Sequence, residues 1–360
     1  MTSTGDVVLA VTDLRVEFRT DEGGVHAVRG VSFQLHRGEV LGIVGESGSG
    51  KSATSLAVMG LLPGSARASG SVRFSGRSAG RSGTHPGDPH NGIELLGASD
   101  SELCRVRGQG ISMIFQDPMT SLNPVYTVGY QIAEAIRAHH DVSRDAARAQ
   151  VLELLEAVSI PNPTERVNNY PHELSGGMRQ RVVIAIAMAN SPEVIIADEP
   201  TTALDVTVQA QVLEALHTAK VQAAAAMLLI THDLGVIAGQ ADRVLVMYAG
   251  RVVEAGTVEE IFYTPRMPYT LGLLGSQPRL DVRTPRLHPI SGGPPSAITM
   301  PPGCPFAPRC PLAAPICAAE EPPLAATGTS GHLSACHFSD QLDGVQPGDV
   351  FRPLSWDTAS

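Results

Sequence analysis

A chain of 360 residues with 43% hydrophobic and 17% charged content is long enough for one large globular domain or two smaller ones, with a substantial core. Its formal net charge of −10 excludes a broad electrostatic attraction to nucleic acid or to anionic lipid. No apolar run reaches the roughly 18 residues of a membrane-spanning helix, and the N-terminus MTSTGDVV lacks a basic segment followed by an apolar one. The chain is therefore expected in the cytosol, with any membrane attachment made through protein contacts.

Short apolar or alternating runs come first, at Val7–Val11, Leu14–Phe18, Val31–Leu35 and Val40–Val44, and predict a β-rich N-terminal region. Gly76 to Gly92 is rich in Gly, Ser, Pro and His between two strand-like segments, which predicts a long hairpin loop. His85 and His90 within it are expected to be solvated, because no third metal ligand accompanies them. From Gly129 to about Ile160 the pattern is helical, with Val151, Leu154, Leu155 and Val158 on one face and Pro161 and Pro163 ending it. A helix from near Ser175, a buried strand Val194–Ala197, a helix from about Val206 to Val221 and a buried strand Met227–Thr231 follow. Strands alternating with helices predict a parallel sheet covered on both faces. Arg243–Tyr248 and Arg251–Ala255, joined at Ala249-Gly250, read as a closing hairpin. After about Leu274 the composition turns to Pro, Cys and Ala without periodicity, predicting an appended module over 275–340 and a polar tail over 341–360.

Gly45-Glu-Ser47-Gly48-Ser-Gly50-Lys51-Ser52 matches the phosphate-binding loop pattern, directly after the apolar run Val40–Val44 and before the helix-compatible Ala53–Leu61. Glycines let backbone amides turn toward phosphate oxygens, a helix N-terminus adds its positive end, Lys51 neutralises phosphate charge and Ser52 can hold Mg²⁺. Of 26 basic residues only Lys51 and Lys220 are lysines, so a compact ammonium is kept at Lys51 against a strong arginine bias. Val194-Ile-Ile-Ala-Asp198-Glu199 is an apolar strand ending in two carboxylates. Asp198 is the expected Mg²⁺ partner and Glu199 the expected general base toward a water.

Leu174-Ser175-Gly176-Gly177-Met178, lying between these two motifs, is where the chain resembles the ABC transporter ATPases, over roughly residues 6–340. That resemblance implies an α/β ABC-type P-loop NTPase, with a RecA-like core sheet, an N-terminal antiparallel β subdomain and a helical subdomain at about 117–190. The nucleotide-binding domain would span 1–274. Gln116 stands where the family has its glutamine loop, Ala203-Leu-Asp205 where it has its aspartate loop, and His232 where it has its switch histidine. Gln116 would join Ser52 and Asp198 at Mg²⁺, and His232 would act with Glu199. Phe18 occupies the place of the aromatic that stacks on adenine, a core phenylalanine being the alternative. By the same resemblance two subunits sandwich ATP head to tail, with Ser175, Gly176 and Gly177 of one facing the phosphate loop of the other.

Three segments, Ile114–Pro124, Tyr170–Arg181 and Met247–Gly256, are similar to those of dipeptide and oligopeptide importer ATPases, a group that includes nickel and glutathione systems. Met267-Pro-Tyr-Thr270 resembles a segment of that group usually beginning with His. The implied partners are two transmembrane permease subunits, a second ATPase subunit in a heterodimer and an extracytoplasmic solute-binding protein, with no nucleic acid. The implied place is the cytoplasmic face of the cell membrane. A non-transport ABC ATPase is the competing reading, but the chain has neither a second cassette nor a long coiled coil.

Cys304, Cys310, Cys317 and Cys336 are separated by five, six and eighteen residues, while Cys104 stands apart. Four thiolates can ligate a 4Fe-4S cluster or a zinc ion, or remain unligated. Close Cys-x₂-Cys pairs are absent and Pro305 and Pro311 follow cysteines, which favours the cluster. The importer group contains cluster-bearing members with this C-terminal pattern, and a structural role is expected because so proline-rich a segment has little core of its own.

Overall fold

The computed structural model describes residues 6–21, 23–76, 92–202, 204–276, 290–328 and 331–351. The chain begins with an antiparallel hairpin of β1 (Val7–Thr20) and β2 (Gly23–His36) and crosses to β3 (Val40–Val44). It then returns through β4 (Ala66–Phe74) and β5 (Ile93–Glu94) to complete a four-stranded sheet of order β2-β1-β4-β5. The two runs expected at Val7–Val11 and Leu14–Phe18 are one strand interrupted by a bulge. Pairing of β1 with β4 shifts between Thr12 and Arg15, and Asp13 takes φ +46° there. Most of the expected hairpin loop at 76–92, including His85 and His90, lies outside the described residues.

The second sheet adds β6 (Ile111–Ile114), β7 (Val194–Asp198), β8 (Ala226–Thr231), β9 (Arg243–Tyr248), β10 (Arg251–Thr257), β11 (Ala325–Ala326) and β12 (Leu333–Ser334). Its order is β11-β12-β10-β9-β3-β8-β7-β6. The pairings from β9 through β3, β8 and β7 to β6 are parallel, and β10, β12 and β11 continue antiparallel. The parallel strands read as nearly continuous apolar runs because both faces are buried. Val40 and Val44 of β3 join one core with Ile195 and Ala197 of β7, while Leu41 and Ile43 join the other with Val194 and Ile196. The first core is filled by helices Val128–Arg137, Arg144–Ala157 and Gly176–Met188, and the second by the N-terminal sheet. The stretch expected as one helical region from Gly129 to Ile160 is two helices, because Ser143 caps a new one by accepting from the Ala146 N–H at 3.2 Å.

Register brings the motifs to one edge. Ile43 pairs with Ile230, Ile230 with Asp198, and Ala197 with Ile114. Gly45, Glu199, His232 and Gln116 therefore all emerge just past the C-terminal ends of adjacent parallel strands, where open α/β sheets gather ligands.

The composition break near Leu274 is not a break in packing. β12 pairs with β10 through Glu254 to Ser334 and Ala255 to Leu333, and β11 pairs with β12. Phe306 packs on Tyr248 and Tyr269, with all three ring centroids within 5.4 Å of one another. The polar tail expected from 341 is corrected for its first part: Leu342, Val350 and Phe351 are buried in the first core. Leu342, Val345, Val350 and Phe351 are spaced without a helix or strand period, so the sequence carries no signal for this packing.

Candidate functional site

The phosphate loop leaves β3 and runs into the helix Lys51–Val58, whose N-cap is Gly50 with φ +100° and no side-chain cap. A Cβ at Gly50 would stand 2.3 Å from the Ala27 carbonyl oxygen, so both the left-handed backbone and the close approach demand glycine. No side chain caps the first amides of this helix, which leaves them available to an anion. Lys51 is buried, and its Nζ donates to the Gly45 and Glu46 carbonyl oxygens at 2.8 and 2.9 Å. Burial holds its ammonium below the ordinary lysine value, while the carboxylates of Glu199, Asp198 and Glu46 pull the other way.

The two carboxylates at the end of β7 differ in environment. Asp198 is buried, which raises its pKa, and it accepts from Ser52 Oγ at 3.1 Å and Ser55 Oγ at 3.2 Å, which oppose the shift. Glu199 adopts φ +47°, an unfavourable backbone for a non-glycine residue, held by its N–H donating to the Ile230 carbonyl at 2.8 Å. Its Oε2 accepts from Gln116 Nε2 at 3.1 Å and Thr202 Oγ1 at 2.9 Å, and His232 Nδ1 lies 3.2 Å away. Its Oε1 is 4.0 Å from Lys51 Nζ.

One broad cavity collects these groups. The loop residues Gly45, Ser47, Gly48 and Gly50 line it with Lys51 and Ser52, opposite Gln116, Glu199 and His232. Phe18, half-buried and packed against the second core, also lines the cavity with Val25 and Ala27. The residues Ser175, Gly176 and Gly177 are not among its lining. They open the helix Gly176–Met188, where Ser175 Oγ accepts from the Met178 N–H at 3.3 Å. A Cβ at Gly177 would stand 2.2 Å from Val208 Cγ1, so this glycine also sets the approach of the helix Val206–Ala223. Asp205 caps that helix, accepting from the Thr207 and Val208 N–H groups.

Sequence reasoning missed four contributors. Ser55 and Thr202 hold the two carboxylates, Tyr269 accepts from the Glu46 N–H through its hydroxyl at 2.8 Å, and Arg309 forms two hydrogen bonds with the Glu46 carboxylate. The segment Met267–Thr270, singled out above without a role, was the one available signal for Tyr269.

Cys304, Cys310, Cys317 and Cys336 line one small cavity together with Phe306 and Phe338. Among the described residues, no group of three or more His, Cys, Asp or Glu side chains stands in a metal-holding arrangement. Burial raises the thiol pKa of Cys310 to about 12 and of Cys336 to about 11, and raises that of Cys304 as well. Opposing that, the Phe338 N–H donates to Cys336 Sγ at 3.4 Å, and the backbone amides of Phe306 and Leu312 act in the same direction on Cys304 and Cys310. The amides near sulfur oppose the effect of burial without reversing it, so all three thiols are held toward the protonated form.

Comparison with known proteins identifies the family. A family model described as ABC transporter matches residues 28–202, and one described as the C-terminal region of oligopeptide/dipeptide transporters matches residues 253–317. The chain is 53% identical over 347 residues to the oligopeptide transport ATP-binding protein OppD of Mycobacterium tuberculosis, covering 96% of this chain and 54% of that relative. It thus spans about half the length of the mycobacterial relatives it matches. It is 51% identical over 336 residues to the dipeptide transport ATP-binding protein DppD of Bacillus subtilis, covering 93% and 95% of the two chains. Among solved structures, a bacterial ABC transporter cassette determined as a dimer superposes with TM-score 0.59 at 25% identity, covering 69% of this chain and 98% of that one. No helix among the described residues is long and apolar enough to cross a membrane. The chain belongs to the ABC transporter ATP-binding proteins of the oligopeptide and dipeptide transport group.

Proposed function

We propose that this chain binds and hydrolyses MgATP to power a membrane importer of dipeptides or oligopeptides. The observation that carries the reading is the carboxylate of Glu199, steadied by Gln116, Thr202 and His232, facing a loop built for phosphate. Glu199 takes the proton of the attacking water, and the hydrogen bonds to its Oε2 leave it a fixed direction. Lys51 and the loop amides bind and orient the phosphates, and Phe18 stacks on the base. Ser52, Asp198 and Gln116 are the residues to hold Mg²⁺, which when bound offsets phosphate charge. Ser175, Gly176 and Gly177 serve the nucleotide of a second ATPase subunit, a reading supported by their absence from this chain's own cavity lining. Asp205 caps the helix whose Val208 abuts Gly177.

The remaining partners in this reading are two transmembrane permease subunits and an extracytoplasmic solute-binding protein, with the chain at the cytoplasmic face of the membrane. The names of the relatives at about 50% identity support it, as does the C-terminal family match. The four cysteines of the C-terminal module hold a 4Fe-4S cluster, zinc being the alternative; the support is their convergence on one cavity, with an amide donating to the Cys336 sulfur. The group would supply a structural crosslink. The test of the main reading is peptide-stimulated ATP hydrolysis by the reconstituted complex, compared with nickel and glutathione; hydrolysis that responds to no peptide overturns it.

A further inference from the structure

The phosphate loop carries its own negative charge. Glu46 follows Gly45 directly, and its carboxylate borders the same cavity as Lys51. Left alone, it would repel the phosphates the loop is built to hold. The compensating cation comes from the opposite end of the chain. Arg309 Nη1 and Nη2 donate to the two Glu46 carboxylate oxygens at 2.7 and 2.9 Å, a bidentate pair, and the Arg309 side chain is only 6% exposed. Its placement is fixed on every side. Nη1 also donates to the Tyr248 hydroxyl at 3.2 Å, Nε donates to the Ser291 carbonyl at 3.1 Å, and the guanidinium lies over the rings of Tyr248 and Phe306. The Glu46 N–H is tied in addition to Tyr269.

The same C-terminal region touches the cavity a second time. Ile290 and Ala297 line it along with Phe18, and the His26 N–H donates to the Ala297 carbonyl at 3.2 Å. From these contacts we propose that Arg309 is a positioning residue for nucleotide binding, which from within the cysteine module neutralises Glu46 beside the phosphates. Arg309 sits directly beside Cys310, so a displacement of that turn reaches the phosphate loop through one ion pair. The inference rests on the reading of Gly45–Ser52 as the phosphate site.

The test is nucleotide affinity of the full chain with its module intact, for MgATP, MgADP and AMP, in wild type, Arg309→Gln, Glu46→Gln and the double variant, with melting temperatures alongside. An uncompensated charge beside the phosphates predicts MgATP binding weaker by about tenfold in Arg309→Gln, less for MgADP and least for AMP, and a larger effect at low salt. Adding Glu46→Gln removes the repulsion and restores MgATP affinity, which a strut role would not predict. Arg309→Lys keeps the charge but not the fork, and is expected between wild type and Arg309→Gln. Losses equal for all three nucleotides and unrescued by Glu46→Gln would overturn the proposal, as would unchanged MgATP affinity in a folded Arg309→Gln. A wild type that binds no MgATP would instead defeat the phosphate-site reading itself.

Discussion

His232 Nδ1 and Glu199 Oε2 stand 3.2 Å apart, joining the ends of two neighbouring strands across the mouth of the phosphate cavity. The same oxygen accepts from Gln116 and Thr202, so a carboxylate on a strained backbone is held by side chains from separate segments. Replacing Glu199 by Gln keeps this shape and removes the base. Hydrolysis should fall by about 10²- to 10⁴-fold with MgATP binding intact, as measured by turnover and by equilibrium titration of one preparation. Turnover near that of wild type would remove Glu199 from the role.

Much of this arrangement is legible without coordinates, because the motifs lie at strand ends and parallel register alone brings them together. The phosphate loop, the Asp198-Glu199 pair and His232 follow apolar runs whose lengths match β3, β7 and β8 within a residue. What escaped is long-range and aperiodic. Arg309 reaches Glu46 across 263 positions, and no local pattern encodes a partner that distant. The bulge at Asp13 and the burial of Phe351 are likewise tertiary outcomes.

Lys51→Ala should weaken nucleotide binding itself. Its ammonium is buried among three carboxylates and bonded to the loop's own carbonyls, so its loss leaves the cavity acidic and the loop untied. Losing a charged hydrogen bond is worth about 1.5–3 kcal/mol, so MgATP affinity should drop by about 10- to 100-fold. Unchanged affinity in a titration would show that Lys51 does not meet phosphate.

Ser175→Arg separates binding from closure. Ser175 caps a helix away from this chain's own cavity lining, so the isolated variant should bind MgATP as wild type does. In the assembled transporter a bulky cation there would stand where the partner's γ-phosphate docks. ATP-driven closure, followed by crosslinking or by distance measurement between subunits, should be lost. A variant complex that closes as readily as wild type would rule out the head-to-tail arrangement.

Gly177→Ala tests the packing duty of the same segment. The new methyl would press on Val208 Cγ1, an atom of a stiff β-branched side chain on the facing helix. Overpacking of this kind costs about 1–3 kcal/mol, visible as a lower melting temperature of the isolated chain without nucleotide. An unchanged melting temperature would mean that the two helices are free to move apart.

The cysteine module offers the last test. Burial keeps the Cys304, Cys310 and Cys336 thiols above their ordinary values, so a metal centre binding these sulfurs must displace their protons. Anaerobically purified protein carrying a 4Fe-4S cluster should be brown, absorb broadly near ~400 nm and contain about four irons per chain. Serine at any one of the four positions should bleach it. Serine at the exposed Cys104 should leave the colour unchanged, since that residue lies outside the cavity the four share. Loading should also be favoured as pH rises, because each thiolate formed costs a proton, and an apo sample reconstituted across a pH series would display that slope. Colourless protein with one zinc per chain would move the ligand set to zinc, and metal-free protein that is folded and resists reconstitution would leave the four cysteines as packing alone.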